Sequence, residues 1–249
     1  MQTCNNCHQT FEGKYCKHCG QKASVGRLNL HTLWHELTHA ITHADKGIIK
    51  LTKDLLVVPK KVYNSYFSGK RKTYFSPIMF FFIMAGLVVV LGEKLWDFED
   101  YITGRNDEFG RILHRYEKVR FVIFIPLISL ITWLFFYKKY NLAESITFWF
   151  FCMGIISFLG ILSYLPEVVF IKHRDTIRYF TDWLIMIVMF IHIFKVFFER
   201  TWWSGIKCFL LGFISYIGLA YIFLLLAYYK GLNINFNLWH LLKDIFAID

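Results

Sequence analysis

The sequence predicts an all-α polytopic membrane protein, with about five transmembrane helices preceded by a small cysteine-bearing module and amphipathic juxtamembrane helices. Three observations predict this class. Of the 249 residues, 56% are hydrophobic and only 18% charged, against about 45–50% and about 25% in soluble domains. The 27 Phe residues gather in long uncharged blocks, which excludes a water-soluble globule and also a disordered chain. The net charge of +10 is as uneven: residues 1–76 carry +8 of it, and six of the ten His and four of the six Cys lie within the first 43 residues.

Residues 1–24 form the first unit. Cys4-x2-Cys7-x8-Cys16-x2-Cys19 offers two CxxC turns, each presenting two thiolates to one side. Together they predict a tetrahedral four-cysteine zinc ribbon. Gly20 follows the second pair, where a tight knuckle needs unusual φ/ψ. So short a segment buries too little to fold unaided, so metal would supply its folding energy. Four thiolates leave no open position, which makes the site structural. Disulfides or a redox pair are the alternatives, and a cytoplasmic location argues against stable disulfides. The module carries only Lys14, Lys17 and Lys22, so nucleic acid is an unfavoured partner. The chain opens on cysteines rather than an apolar h-region, so the first span is expected to do the targeting itself.

Residues 25–73 predict amphipathic helices. Over residues 28–44, Leu30, Leu33, Trp34, Leu37 and Ile41 share one face, while His31, His35, His39 and His43 run at i, i+4 steps opposite. Within that row, His35-Glu36-Leu37-Thr38-His39 matches the HExxH of zinc metalloproteases, in which the two His bind metal and Glu36 would be the general base. Against this stand a surface helix, no third ligand, and a position ahead of every span. A solvated polar face is the plainest reading. Non-catalytic metal binding at His31, His35, His39 and His43, or pH sensing, is the second, and a protease the third. Gly47 is expected as the C′ residue of this helix. A second amphipathic stretch (Ile48, Ile49, Leu51, Leu55, Leu56) is expected to stop before Pro59. The basic, aromatic run that follows, with Lys60, Lys61, Lys70, Arg71 and Lys72, suits anionic lipid headgroups at about 1 kcal/mol per charge, and serves equally as a topology anchor.

Residues 74–230 hold the predicted spans, at 74–92, 121–137, 146–165, 179–198 and 205–229. The basic residues before the first span, Lys138 and Lys139 in one hairpin, and Lys195, Arg200 and Lys207 around another fall on one side. The positive-inside rule places that side, and the N-terminus, in the cytoplasm. Residues 93–120 are then an outer loop, within which Phe109, Ile112, Leu113 and Tyr116 are expected to form an interfacial helix. Lys172, Arg174 and Arg178 in the other outer loop count against this orientation. Five spans place the C-terminus outside, and residues 231–249 read as a further interfacial segment, with Phe236, Trp239, Leu242 and Phe246 on one face. His192 is the polar residue deepest in a span, read first as bonded to a neighbouring helix and second as a proton or ion relay. Cys152 and Cys208 read as small apolar packing residues.

From the ribbon to the first span the chain resembles an uncharacterised bacterial membrane family, frequent in Bacteroidota and defined as a domain of unknown function. The resemblance rests on Cys16-Lys17-His18-Cys19-Gly20-Gln21, on Asp45-Lys46-Gly47, and on a box formed by Tyr66, Gly69, Lys70, Arg71, Tyr74 and Pro77. It implies a bacterial inner-membrane protein and supplies no activity. The combined expectation is a non-enzymatic multi-pass protein with a cytoplasmic zinc ribbon for docking or regulation. Its partners would be the bilayer, anionic headgroups, and other membrane proteins or further copies of itself. Its membrane domain would serve assembly or lipid or solute handling.

Overall fold

The computed structural model describes residues 1–23, 25, 28–30, 47–103 and 108–229. The histidine row with His31, His35, Glu36, His39 and His43, and the C-terminal segment 231–249, lie outside the described residues.

The N-terminal module is small. Strands β1 (Gln2–Thr3) and β2 (Thr10–Phe11) pair antiparallel, with Gln2 opposite Phe11, and a further bridge joins Tyr15 to Lys22. Its buried centre consists of Cys4, Phe11 and Cys16, with Cys7, Cys19 and Ala23 packed against them. The chain then leads to Leu28, which is buried in the main core, and the Asn141 side-chain amide donates to the Leu28 carbonyl at 2.7 Å.

The described part of α1 covers Gly47–Val57, and Pro59 sits at the start of α2 (Pro59–Phe67). The break falls where a proline disfavours helix in the residue before it and is itself suited to a first turn. The end of α2 is closed by the Gly69 N–H on the Tyr66 carbonyl (3.2 Å) and the Lys70 N–H on the Ser65 carbonyl (2.9 Å). This is a Schellman closure, and Gly69 supplies the left-handed residue it requires, at φ 91°. A 3-10 turn, Arg71–Thr73, follows. Leu51 and Leu55 of α1 and Val62, Tyr63 and Tyr66 of α2 are all buried. Tyr63 packs against Phe148 with tilted rings 5.0 Å apart, and Tyr66 meets Phe151 edge-on at 5.3 Å. The apolar faces of these two helices therefore rest on the helical bundle.

The bundle comprises α3 (Pro77–Thr103), α4 (Glu108–Phe136), α5 (Leu142–Val169), α6 (Arg174–Phe197) and α7 (Trp202–Tyr229). Among the described residues, four segments are long and apolar enough to cross a membrane: Arg71–Gly92, Leu142–Val169, Thr176–Phe197 and Trp202–Leu219. The predicted span at 121–137 corresponds to a shorter apolar stretch, Ile123–Phe136. It is the C-terminal half of a helix about 43 Å long at 1.5 Å per residue. The expected outer loop 93–120 is largely helical. Glu93, Lys94 and Asp97 end the hydrophobic run of α3 without ending its helix, which continues to Thr103. Phe109, Ile112, Leu113 and Tyr116 belong to α4 and run unbroken into its apolar half, rather than forming a separate interfacial helix. No proline or glycine interrupts the chain between Arg111 and Ile125.

Helix α5 is the axis of the bundle, packing on α3, α4 and α6. From Ala143 to Ser157 nearly every side chain is buried, as expected of a helix apolar on all sides. A capping box, with Asn141 accepting from the Glu144 N–H and Glu144 accepting from the Asn141 N–H (2.9 Å each), fixes its start. A Cβ placed on Gly154 would lie 2.5 Å from Phe80 Cδ1, so only glycine lets α3 approach α5 this closely. Several polar atoms within the bundle find partners nearby: the Trp149 indole N–H donates to Thr132 Oγ1 at 2.8 Å, and Ser129 and Thr132 bond back to their own helix, while the buried Thr147 and Ser157 hydroxyls have none among the described residues.

One end of the bundle gathers the basic segments. Phe67 meets Tyr140 at 5.9 Å, the Tyr140 hydroxyl donates to the Val196 carbonyl at 2.9 Å, and Lys139 pairs with Glu199 at 2.9 Å. Lys207 Nζ donates to the Phe135 carbonyl at 3.0 Å. At the opposite end Arg178 pairs with the buried Glu167 at 3.1 Å, which offsets one of the charges that disagreed with the predicted orientation.

Candidate metal centre

Two knuckles build the centre with the same hydrogen-bond pattern. In the first, the Cys4 N–H donates to the Gln9 carbonyl and the His8 N–H to the Cys4 carbonyl. In the second, the Cys16 N–H donates to the Gln21 carbonyl and the Gly20 N–H to the Cys16 carbonyl, all at 2.8–2.9 Å. Each turn needs a left-handed residue directly after its second cysteine. The second knuckle uses Gly20 at φ 71°, and the first uses His8 at φ 61°. A non-glycine residue there carries about 1–3 kcal/mol of strain.

The four thiols converge. Cys4 Sγ lies 3.5 Å from Cys19 Sγ and Cys7 Sγ 3.6 Å from Cys16 Sγ, and all four sulfurs fall within 4.8 Å of one another. A disulfide would need about 2.05 Å, so these are free thiols. A tetrahedral thiolate site with metal–sulfur bonds of about 2.3 Å has edges of about 3.8 Å. The set can hold a metal ion, and among the described residues it is the one such cluster of His, Cys, Asp or Glu. The four cysteines singled out by their spacing are the four whose sulfurs converge.

The electrostatics favour thiolate at one corner. The Cys7 backbone most strongly lowers the Cys4 thiol; Asn6 and the Cys19 and Cys7 thiols lower it further, burial opposes them, and it comes to about 6. Cys7 moves the other way. The Gln9 backbone draws it down, but burial and the three neighbouring thiols outweigh this and push it up to about 12. One thiolate stabilised by its neighbours' protons is the arrangement a cation would replace, deprotonating the rest on binding.

The module is mounted on the membrane domain. Thr73 Oγ1 donates to Asn6 Oδ1 at 2.6 Å, and Lys70 Nζ donates to His8 Nε2 at 3.3 Å. Beside these, a Cβ on Gly69 would lie 3.2 Å from Val25 Cγ1. Of the predicted basic residues, Lys60, Lys61 and Lys72 are exposed, while Lys70 and Arg71 are half-buried. Sequence reading missed Asn6 and His8; the one available signal was a histidine standing where the other knuckle has glycine.

His192 lies apart from this centre. Its Nδ1 is 2.8 Å from the Tyr63 hydroxyl, and the ring also bonds the Leu55 backbone. The Leu55 carbonyl is one of the last four of α1, which have no partner inside the helix. It takes the ring N–H of a neutral imidazole, leaving Nδ1 to accept from Tyr63. Burial, with Cys152 adding, holds the Tyr63 hydroxyl protonated well above its ordinary range. His192 thus ties α1 and α2 to α6, the plainer of its two readings.

A family model described as "Protein of unknown function (DUF3667)" matches residues 45–89, which span α1, α2, the basic turn and the first part of α3. The match contains the box of Tyr66, Gly69, Lys70, Arg71, Tyr74 and Pro77 that carried the resemblance to an uncharacterised family. No curated protein and no solved structure matches the chain.

Proposed function

We propose that the chain is a multi-pass protein of the bacterial inner membrane whose four cysteines hold one structural zinc ion, and whose cytoplasmic module serves docking or regulation rather than catalysis. The observation that carries this reading is a closed four-thiol set fastened by its first knuckle to the basic turn of the membrane domain. Zinc is the metal that four converging thiolates in a small ribbon favour, and four protein ligands leave no position for a substrate. The cytoplasmic placement is supported by the gathering of Lys60, Lys61, Lys70, Arg71, Lys72, Lys138, Lys139 and Lys207 near one end of the bundle. Lys60, Lys61 and Lys72 are free to meet anionic headgroups of the inner leaflet. The lipid-facing helices α6 and α7 are available for other membrane proteins or a second copy.

Metal analysis of the full-length protein purified in detergent tests the reading. About one zinc per chain is expected, falling to none on Cys4→Ser plus Cys16→Ser. Two zinc ions per chain would instead assign a second site to His31, His35, His39 and His43. Metal-free protein, or iron in place of zinc, would overturn the proposal.

A further inference from the structure

We infer that the zinc module is a metal-dependent clasp on the basic turn of the membrane domain, so that zinc occupancy sets whether residues 70–73 are covered or released. The inference rests on the zinc reading above and adds what the zinc controls. Its starting point is the asymmetry of the two knuckles. They share one backbone pattern, and each demands a left-handed residue after its second cysteine. Gly20 meets the demand in the second knuckle. The first keeps His8 at φ 61°, although glycine would remove the strain. The histidine side chain is the one that receives Lys70 Nζ at 3.3 Å. Lys70 has no acceptor atom, so His8 Nε2 accepts. A strained residue thus coincides with a contact that needs its side chain.

The neighbouring contacts fall on the same two surfaces. Asn6, between the first two cysteines, accepts from Thr73 at 2.6 Å. Gly69, which closes α2, leaves room for Val25. The two polar clasp residues of the module, Asn6 and His8, lie within and directly after its first metal loop. Asn6 and His8 can present their side chains together only while Cys4 and Cys7 hold the knuckle turned. The module's own core is three buried residues, too little to hold that turn without metal. The membrane side differs: the turn 70–73 is joined to α2 and α3 at its two ends, so it stays beside the bundle but loses the module's cover. Loss of zinc therefore unfolds the knuckle, withdraws Asn6 and His8, and leaves Lys70 and Thr73 open to the headgroup layer beside the already exposed Lys72.

Hydrogen–deuterium exchange on the full-length protein in detergent tests this, comparing zinc-loaded and chelator-stripped samples. Stripping is expected to speed exchange on the order of tenfold both in residues 1–23 and in residues 69–75, leaving the bundle helices unchanged. The variant Asn6→Ala plus His8→Gly keeps every cysteine. It is expected to retain about one zinc per chain and protected knuckles, yet to show the fast exchange at residues 69–75. Thr73→Val approaches the clasp from the membrane side and should loosen the same segment without zinc loss. Unchanged protection of residues 69–75 on stripping, while residues 1–23 loosen, overturns the clasp and leaves the zinc reading intact. Absence of bound zinc in the wild type overturns both.

Discussion

At Cys4, a thiol already held down to about 6 is the corner of the centre most readily offered to a cation as thiolate. A thiol lowered in the folded state favours metal retention above its pKa, and the benefit is lost as pH falls through it. Bound zinc lowers it further. Metal should stay bound at neutral pH and be released as acid protonates the thiolates, as followed with a zinc-responsive dye across a pH series. Glu36→Gln should leave zinc content and any cellular phenotype as in wild type; loss of a phenotype with intact zinc would revive the protease reading. Tyr63→Phe removes the hydroxyl bonded to His192 and leaves a buried ring nitrogen unpaired. A loss of about 1–3 kcal/mol is expected, read as a lower unfolding midpoint in detergent. The four cysteines were legible because a CxxC turn fixes its own geometry within three residues. His192 was legible as a polar residue in a span, but Tyr63, 129 residues away, is joined to it by packing that no local pattern encodes.

Among the elements, the close contact between α3 and α5 is the most exposed to mutation. Gly154→Ala would set a methyl against the Phe80 ring and the Phe81 backbone. Overpacking of this kind costs about 1–3 kcal/mol, and a lower unfolding midpoint with an unchanged zinc content is expected. Gly69→Ala acts through both the left-handed closure of α2 and the space taken by Val25. It should loosen residues 69–75 while leaving the bundle midpoint nearly unchanged. The helices themselves were legible from apolar runs, and the stop before Pro59 followed from proline sterics. Their ends were not, because hydropathy reports where lipid ends and backbone hydrogen bonding continues beyond it. This is why α3 passes Gly92 and reaches Thr103, and why α4 begins well before its apolar half.

The whole molecule places its charged loops at opposite ends of one bundle. Reporters inserted at Lys138–Lys139 and at Glu199–Arg200 should read the same side as the N-terminus, and one at residues 171–173 the other. A mixed result would break the orientation. The sharing of one end by these loops was legible from Lys and Arg counts, since topology follows charge in short loops. The pairing of helices was not. That α5 lies at the centre, with α1 and α2 seated against its cytoplasm-proposed end, depends on Phe148, Trp149 and Phe151 meeting rings from α2, α4 and α6, and an apolar run does not say which neighbour it faces.

The left-handed His8 also constrains how related chains can diverge. With glycine at position 8 the knuckle closes without strain, and position 70 loses the acceptor that its ammonium meets. Wherever position 8 keeps an imidazole, position 70 should keep a donor long enough to reach it. The two sites are 62 residues apart in the chain, yet they are expected to change as a linked pair in any related sequences, even where neither site is invariant.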